Sequence, residues 1–166
     1  MTEAEFRSHY AQYRDPLFRF GYRLTGSVEV AEDLVHDSFV GLFRGGYDES
    51  LGSLKTYLYS SMRNLCRKHY RDTGREDCVD EVSDPASTGN PLDALISGEI
   101  ASAVRCAVAA LPLLQREALV LFEYQELTLD EVSRIVGTDV GAVKSRLYRA
   151  REALRKLLPA MKEATR

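Results

Sequence analysis

Tryptophan is absent from this chain, and histidine and cysteine occur three times each. The cysteines, Cys66, Cys78 and Cys106, are odd in number, widely spaced and never form a C-x-x-C pair, which argues against a disulfide framework and a zinc knuckle. They read as buried or incidental thiols. His9, His36 and His69 fall on different predicted helices, and although Cys66 and His69 share a face, two ligands do not make a zinc site. No metal and no cofactor are expected. Nucleophile elbows and phosphate loops are missing, and the neighbouring Glu32 and Asp33 do not face each other on a helix, so the chain does not read as an enzyme. Nowhere are there the roughly 18 consecutive apolar residues that span a bilayer. Residues 1–10 carry acids where a signal peptide needs a basic and then an apolar run, so a cytoplasmic protein is expected.

What is present is a composition of 45% hydrophobic and 28% charged residues, enough apolar material for a packed core in one domain or two small ones. The formal net charge of -3 would by itself argue against a nucleic-acid binder, but the charge is segregated. Lys55, Arg63, Arg67, Lys68, Arg71 and Arg75 stand against Asp72 alone in one block. From Thr138 to Leu158, Lys144, Arg146, Arg149, Arg151, Arg155 and Lys156 stand against Asp139 and Glu152. The stretch from Glu76 to Glu99 is acidic and has no Lys or Arg. A polyanion meets the local field, not the sum.

The patterning is helical throughout, and an all-α protein is predicted. Phe6, Tyr10, Tyr13, Leu17, Phe20 and Leu24 recur at spacings of three and four, the stripe that a helix buries, with Pro16 expected to kink or split it. Ser27 is placed to cap a second helix running to about Arg44, ended by Gly45 and Gly46. A loop to Ser53 leads to a third helix from Leu54 to Arg71. These elements make a first domain over 1–72. Residues 73–90, rich in Asp, Ser, Thr, Gly and Pro, read as a flexible acidic linker. Helical patterning resumes at Leu92 and again after Pro112, giving a second domain over 91–166.

Within the second domain, Leu127 to Leu158 has the marks of a helix-turn-helix. Thr128 and Glu131 form a capping box before a short helix carrying Val132, Ile135 and Val136, and Gly137 supplies the tight turn. The next helix buries Val140, Val143, Leu147, Ala150, Leu154 and Leu157. Its outer face carries Ser145, Tyr148, Arg149 and Glu152, flanked by Lys144, Arg146 and Arg151, a basic hydrogen-bonding surface suited to the major groove. Charge alone would fit a solvated amphipathic helix equally well. The capped helix, glycine turn and basic second helix together point to DNA binding.

In order along the chain, VAEDLVHDSFVGLFR, SLKTYLYSSMRNLCRKHYR and LPLLQREALVLFEYQELTLDEVSRIVGTDVGAVKSRLYRAREAL resemble the extracytoplasmic-function (ECF) group of bacterial RNA polymerase sigma factors, within the sigma-70 family. The resemblance covers nearly the whole chain. It implies a first domain corresponding to sigma region 2, which binds core polymerase and melts the minus-10 element, and a second corresponding to region 4, which reads the minus-35 element. By this resemblance Glu32, Asp33, Leu34, Val35, Asp37 and Phe39 would dock on the clamp helices of the polymerase's largest subunit. Without it, the acids read as an ordinary solvated face.

On the third helix, Lys55, Arg63, Arg67, Lys68 and Arg71 are interleaved with tyrosines, the combination that tracks a backbone and catches unstacked bases. Tyr57 suits base contact or core packing. Asn64 matches the family's R-N pair at the pocket for a flipped base, with the loop from Gly45 to Ser53 beside it. The chain departs from the family's usual Trp at Phe43 and Tyr57, and from a common Asp downstream of Asn64. Lys144, Ser145, Arg146, Tyr148, Arg149 and Arg151 carry over as minus-35 contacts, with Ala142 where Thr is common. The expected partners are core polymerase, promoter DNA and an anti-sigma factor. The alternative is a stand-alone helix-turn-helix regulator with a sensory first domain, which would have no need of a basic, tyrosine-rich melting surface.

Overall fold

A computed structural model describes residues 1–74 and 98–158, and every regular element among them is a helix. Helix α1 spans Glu3–Thr25. Its first turn is closed by a capping box in which the Glu5 amide donates to Thr2 Oγ1 and the Thr2 amide to Glu5 Oε2. Two of the amides that a helix start leaves unpaired are thereby satisfied. The helix runs through Pro16 without splitting, contrary to one of the two outcomes expected there, and ends at Gly26, whose φ of 73° suits glycine.

Helix α2 (Val28–Phe43) opens where Ser27 accepts the Val30 amide, and α3 (Leu54–Thr73) where Ser53 accepts that of Thr56. The three helices pack through Leu17, Phe20, Leu34, Phe39, Leu58 and Met62, all buried. Phe6 and Tyr10 close the far end edge-on against Phe39. Between α2 and α3 the loop turns at Gly46, where a Cβ would lie 2.6 Å from the Tyr57 hydroxyl. A side chain there would push Tyr57 off Tyr47, with which it makes a tilted ring contact.

The second set comprises α4 (Gly98–Ala109), α5 (Leu113–Leu119), α6 (Leu129–Val136) and α7 (Val140–Leu157). The start of the helical patterning expected from Leu92 lies outside the described residues. Pro112 stands at the cap of α5, which widens into a π turn over Val120–Tyr124. Thr128 and Glu131 make the expected capping box on α6. Gly137 turns the chain with φ 71°, and Asp139 accepts the Ala142 amide at 2.7 Å to open α7. Val132, Ile135, Val143, Leu147 and Ala150 are buried, so the helix-turn-helix rests on the middle of the predicted seam, whereas Val140 and Leu154 are half-buried and Leu157, in the last turn of α7, is exposed.

The two helical sets share one continuous apolar cluster that runs from Leu17 and Phe20 to Leu147 and Ala150. Helix α3 lies against α6, and α1 against α4, α5 and the π turn. The reason is visible on α3: Tyr59, Met62, Arg63, Cys66 and Tyr70 recur at three, four and seven residues, and all five are buried. That stripe is too wide for α1 and α2 to cover alone.

Candidate nucleic-acid interface

Helix α7 presents Lys144, Ser145, Tyr148, Arg149 and Arg151 to solvent, with Arg146 half-buried at the flank. Tyr148 is 66% exposed, far more than a ring retained for packing would be. The spacing follows from the helix: Val143, Leu147 and Ala150 turn inward, and 100° per residue leaves 145, 148 and 149 outward. Arg151 is tied to Glu123 of the π turn at 2.7 Å, and its guanidinium lies 5.9 Å from the centre of the Phe122 ring. It links α7 to the π turn.

The seven residues singled out on α3 do not form one surface. Asn64, Lys68 and Arg71 are exposed along one face, with spacings of four and three. Lys55 is instead paired with Glu131 of α6 at 2.9 Å, and Tyr57 is half-buried against Tyr47. Arg63 is buried, and its Nε–H is shared by both carboxylate oxygens of Glu117 at 3.0 Å each. Arg67 is half-buried, and with Arg71 it lines a cleft facing Arg146 and Arg149 of α7. The two basic blocks therefore confront each other across the packing of the halves.

Polar contacts across that packing are numerous. The Tyr59 hydroxyl donates to Gln125 Oε1 at 2.7 Å. Arg116 donates from Nη1 to the Leu24 carbonyl at 2.8 Å and to the Tyr70 hydroxyl at 3.0 Å, and from Nη2 to the Leu111 carbonyl at 2.7 Å. Tyr70 also donates to the Leu24 carbonyl. Leu24 lies in the last turn of α1, where carbonyls have no partner within the helix and a cation is favoured. Arg23 stacks over Tyr124 at 4.3 Å.

Burial raises the Glu117 carboxyl above its usual range, opposed first by Arg63 and then by Arg67 and Arg146. Burial also pushes the Cys66 thiol up to about 12, so it is an inert core thiol, whereas Cys106 is exposed. Among the described residues no group of three His, Cys, Asp or Glu is placed to hold a metal, and no helix is long and apolar enough to cross a membrane.

Residues that periodicity alone did not single out are Glu117, Arg116 and Gln125. Glu117 did leave a signal. It falls at the apolar register of Leu113, Val120 and Leu121, a place where a charged residue implies a partner.

The acidic face of α2 is open. Glu32, Asp33 and Asp37 are exposed, whereas Leu34, Val35 and Phe39 are core residues with 8%, 5% and 3% exposure. Of these six, the three acids are available to a partner in this packing, and the apolar three hold α2 on α1 and α3.

Comparison with known proteins bears on what these surfaces serve. Residues 9–76 match the family model described as Sigma-70 region 2, and residues 101–154 that described as Sigma-70, region 4. The ECF RNA polymerase sigma factor SigW of Bacillus subtilis is 32% identical over 159 residues, covering 88% of this chain and 84% of the relative. SigE of Mycolicibacterium smegmatis, also named an ECF RNA polymerase sigma factor, is 30% identical over 151 residues. That match spans 89% of this chain but 59% of the relative's length. Among solved structures, the sigma factor RpoE in complex with the anti-sigma factor NepR from Bartonella quintana superposes with a TM-score of 0.75 at 26% identity. It covers 93% of this chain and 97% of the other. CnrH in complex with the cytosolic domain of CnrY has the same fold, with a TM-score of 0.72 at 20% identity.

Proposed function

The chain belongs to the ECF family of RNA polymerase sigma factors, and from that membership we propose that it directs promoter-specific transcription initiation. Residues 1–72 act as the region 2 domain, 73–90 as the linker and 91–166 as the region 4 domain. The observation that carries this reading is the presence of both matches in order on one chain, with α7 exposing Lys144, Ser145, Tyr148 and Arg149. A regulator that only binds duplex DNA has use for the second match but not for the first.

In the proposed roles, Glu32, Asp33 and Asp37 dock on core polymerase. Lys144, Ser145, Tyr148 and Arg149 read the minus-35 element, with Arg146 and Arg151 on phosphates. Asn64, Lys68 and Arg71 face the minus-10 strand, joined by Lys55, Tyr57, Arg63 and Arg67 when α3 is uncovered. Nothing in these roles makes or breaks a covalent bond, so the chain acts by binding and not as an enzyme. Its place of action is the cytoplasm, where polymerase and promoter are found. The relative RpoE is held by an anti-sigma factor, and a separate inhibitory protein of that kind is the proposed regulator here.

The test is transcription from fragmented genomic DNA by purified core polymerase with and without the chain, with transcript starts mapped by sequencing. New starts sharing two upstream elements are the expected result. A chain that promotes no initiation, yet tightly shifts duplex DNA on its own, is the stand-alone regulator instead.

A further inference from the structure

Between α3 and α7 lies a cleft of about 390 Å³ with an open mouth. Its walls come from both halves: Arg67, Tyr70 and Arg71 from α3, and Arg146 and Arg149 from α7, over a floor that includes Leu113. Four guanidiniums thus surround one cavity, and no carboxylate lines it among the described residues. Glu117 lies beside it but is committed: both its oxygens accept from Arg63, and Arg146 stands off at 4.0 Å. Arg67, Arg71 and Arg149 have no ion pair among the described residues. One guanidinium nitrogen of Arg146 is buried without a hydrogen-bond partner, as is the side-chain amide oxygen of Gln115. Packing the halves together therefore gathers like charges around one cavity, which is unfavourable.

We propose that this cleft is a binding site for a compact polyanion of the phosphate-ester class, gripped by Arg67 and Arg71 from one half and by Arg146 and Arg149 from the other. Guanidinium forks match phosphate oxygens in pairs, and arginine keeps its charge at any working pH. The cavity has room for linked phosphates with a small organic group beside Tyr70 and Leu113. A ligand touching both halves binds only when they are packed together, so it shifts the chain toward the closed arrangement by its differential affinity. Given the proposed promoter-binding role of the same arginines, an occupied cleft competes with DNA, because one guanidinium cannot serve both.

The test titrates the full chain with inorganic pyrophosphate by calorimetry, against sodium chloride of equal ionic strength. Saturable binding at one site is expected. Arg71→Ala and Arg149→Ala, on opposite walls, are each expected to weaken it about ten-fold or more. Both side chains are exposed, so the variants keep the fold, which circular dichroism verifies. Arg155→Ala, on α7 and outside the cleft, should change affinity by less than about two-fold, as expected for screened surface charge. Heat no different from that of the salt control overturns the proposal. So does a loss confined to one wall, or an equal loss in Arg155→Ala, which marks diffuse attraction. Neither DNA nor polymerase enters this titration, so its outcome is separate from that of the transcription assay. In a second arm, pyrophosphate at saturation should lower the parent chain's affinity for a mapped promoter fragment, and an affinity equal to that in the matched salt control overturns the competition.

Discussion

Arg63 on α3 and Glu117 on α5 form a buried ion pair in which one Nε–H is shared by two carboxylate oxygens at 3.0 Å, with Glu117 wholly removed from solvent. The pair ties the proposed melting helix to the domain that carries the reading helix. A buried pair of this kind adds little net stability, because desolvation offsets most of the attraction, yet losing one partner leaves the other charge stranded. It therefore specifies which faces meet more than it strengthens their meeting. Promoter contact through Arg63 requires that pair to open.

Glu117→Ala should destabilise the chain by about 3–5 kcal/mol, while Arg63→Met combined with Glu117→Leu should recover most of the loss. Urea unfolding of the parent, Glu117→Ala, the component variants Arg63→Met and Glu117→Leu, and their combination measures this. Additive losses would show that the two side chains do not act as a pair.

Arg149→Ala should weaken binding to the minus-35 element by about 1–3 kcal/mol, the usual effect of losing an arginine that reads a base. Arg149 is exposed on α7, so folding should be untouched. Fluorescence anisotropy with promoter fragments altered one base at a time measures it. An unchanged preference at every position removes Arg149 from the reading face.

Asp33→Arg reverses one charge on the open face of α2 without touching the core residues Leu34 and Val35 that flank it. Affinity for core polymerase should fall, whereas binding of duplex DNA through α7 should stay the same. Surface plasmon resonance on immobilised core tests the first half. Equal core affinity for variant and parent would sink the assignment of this face.

Glu131 gives a pH dependence with a definite sign. Its carboxyl is held below the ordinary range, first by the hydrogen bond with Lys55 and then by the Thr128 amide. A lowered folded-state value means that its contribution is fully present above the unfolded value of about 4.5 and is lost as pH falls through the folded one. Glu131→Gln keeps the capping-box geometry, since Gln serves at that position, and removes the charge. The variant should show a shallower fall in thermal midpoint below about pH 4.5 than the parent. Parallel curves would show that Lys55 and Glu131 do not pair in solution.

The helix-turn-helix was legible because its signals are local. A capping box at Thr128, the left-handed turn at Gly137 and the seam of Val143, Leu147 and Ala150 each act within one or two turns of chain. The same holds for Ser27 and Ser53 at the starts of α2 and α3. Pro16 shows the limit of such signals: a missing amide need not break a helix whose following residues, Leu17, Phe20 and Leu24, are held by tertiary packing. On α3 the residue types pointed to a nucleic-acid surface but not to which side chains are free. Asn64 is exposed and its neighbour Arg63 is buried, a difference of 100° around one helix.

The sequence by itself determined an all-helical chain, two basic blocks separated by an acidic stretch, and the capped and glycine-turned reader that first marked DNA binding. Those follow from periodicity and backbone preference, which are properties of neighbouring residues. Only the tertiary structure decided that Lys55 and Arg63 are engaged by Glu131 and Glu117, and that four arginines line one cleft. These depend on which face of α3 meets α5, α6 and α7, with residues 54 positions apart brought to 3.0 Å. A helical repeat locates a face but not the face it will bury against, and that choice is made by shape and charge across the whole molecule.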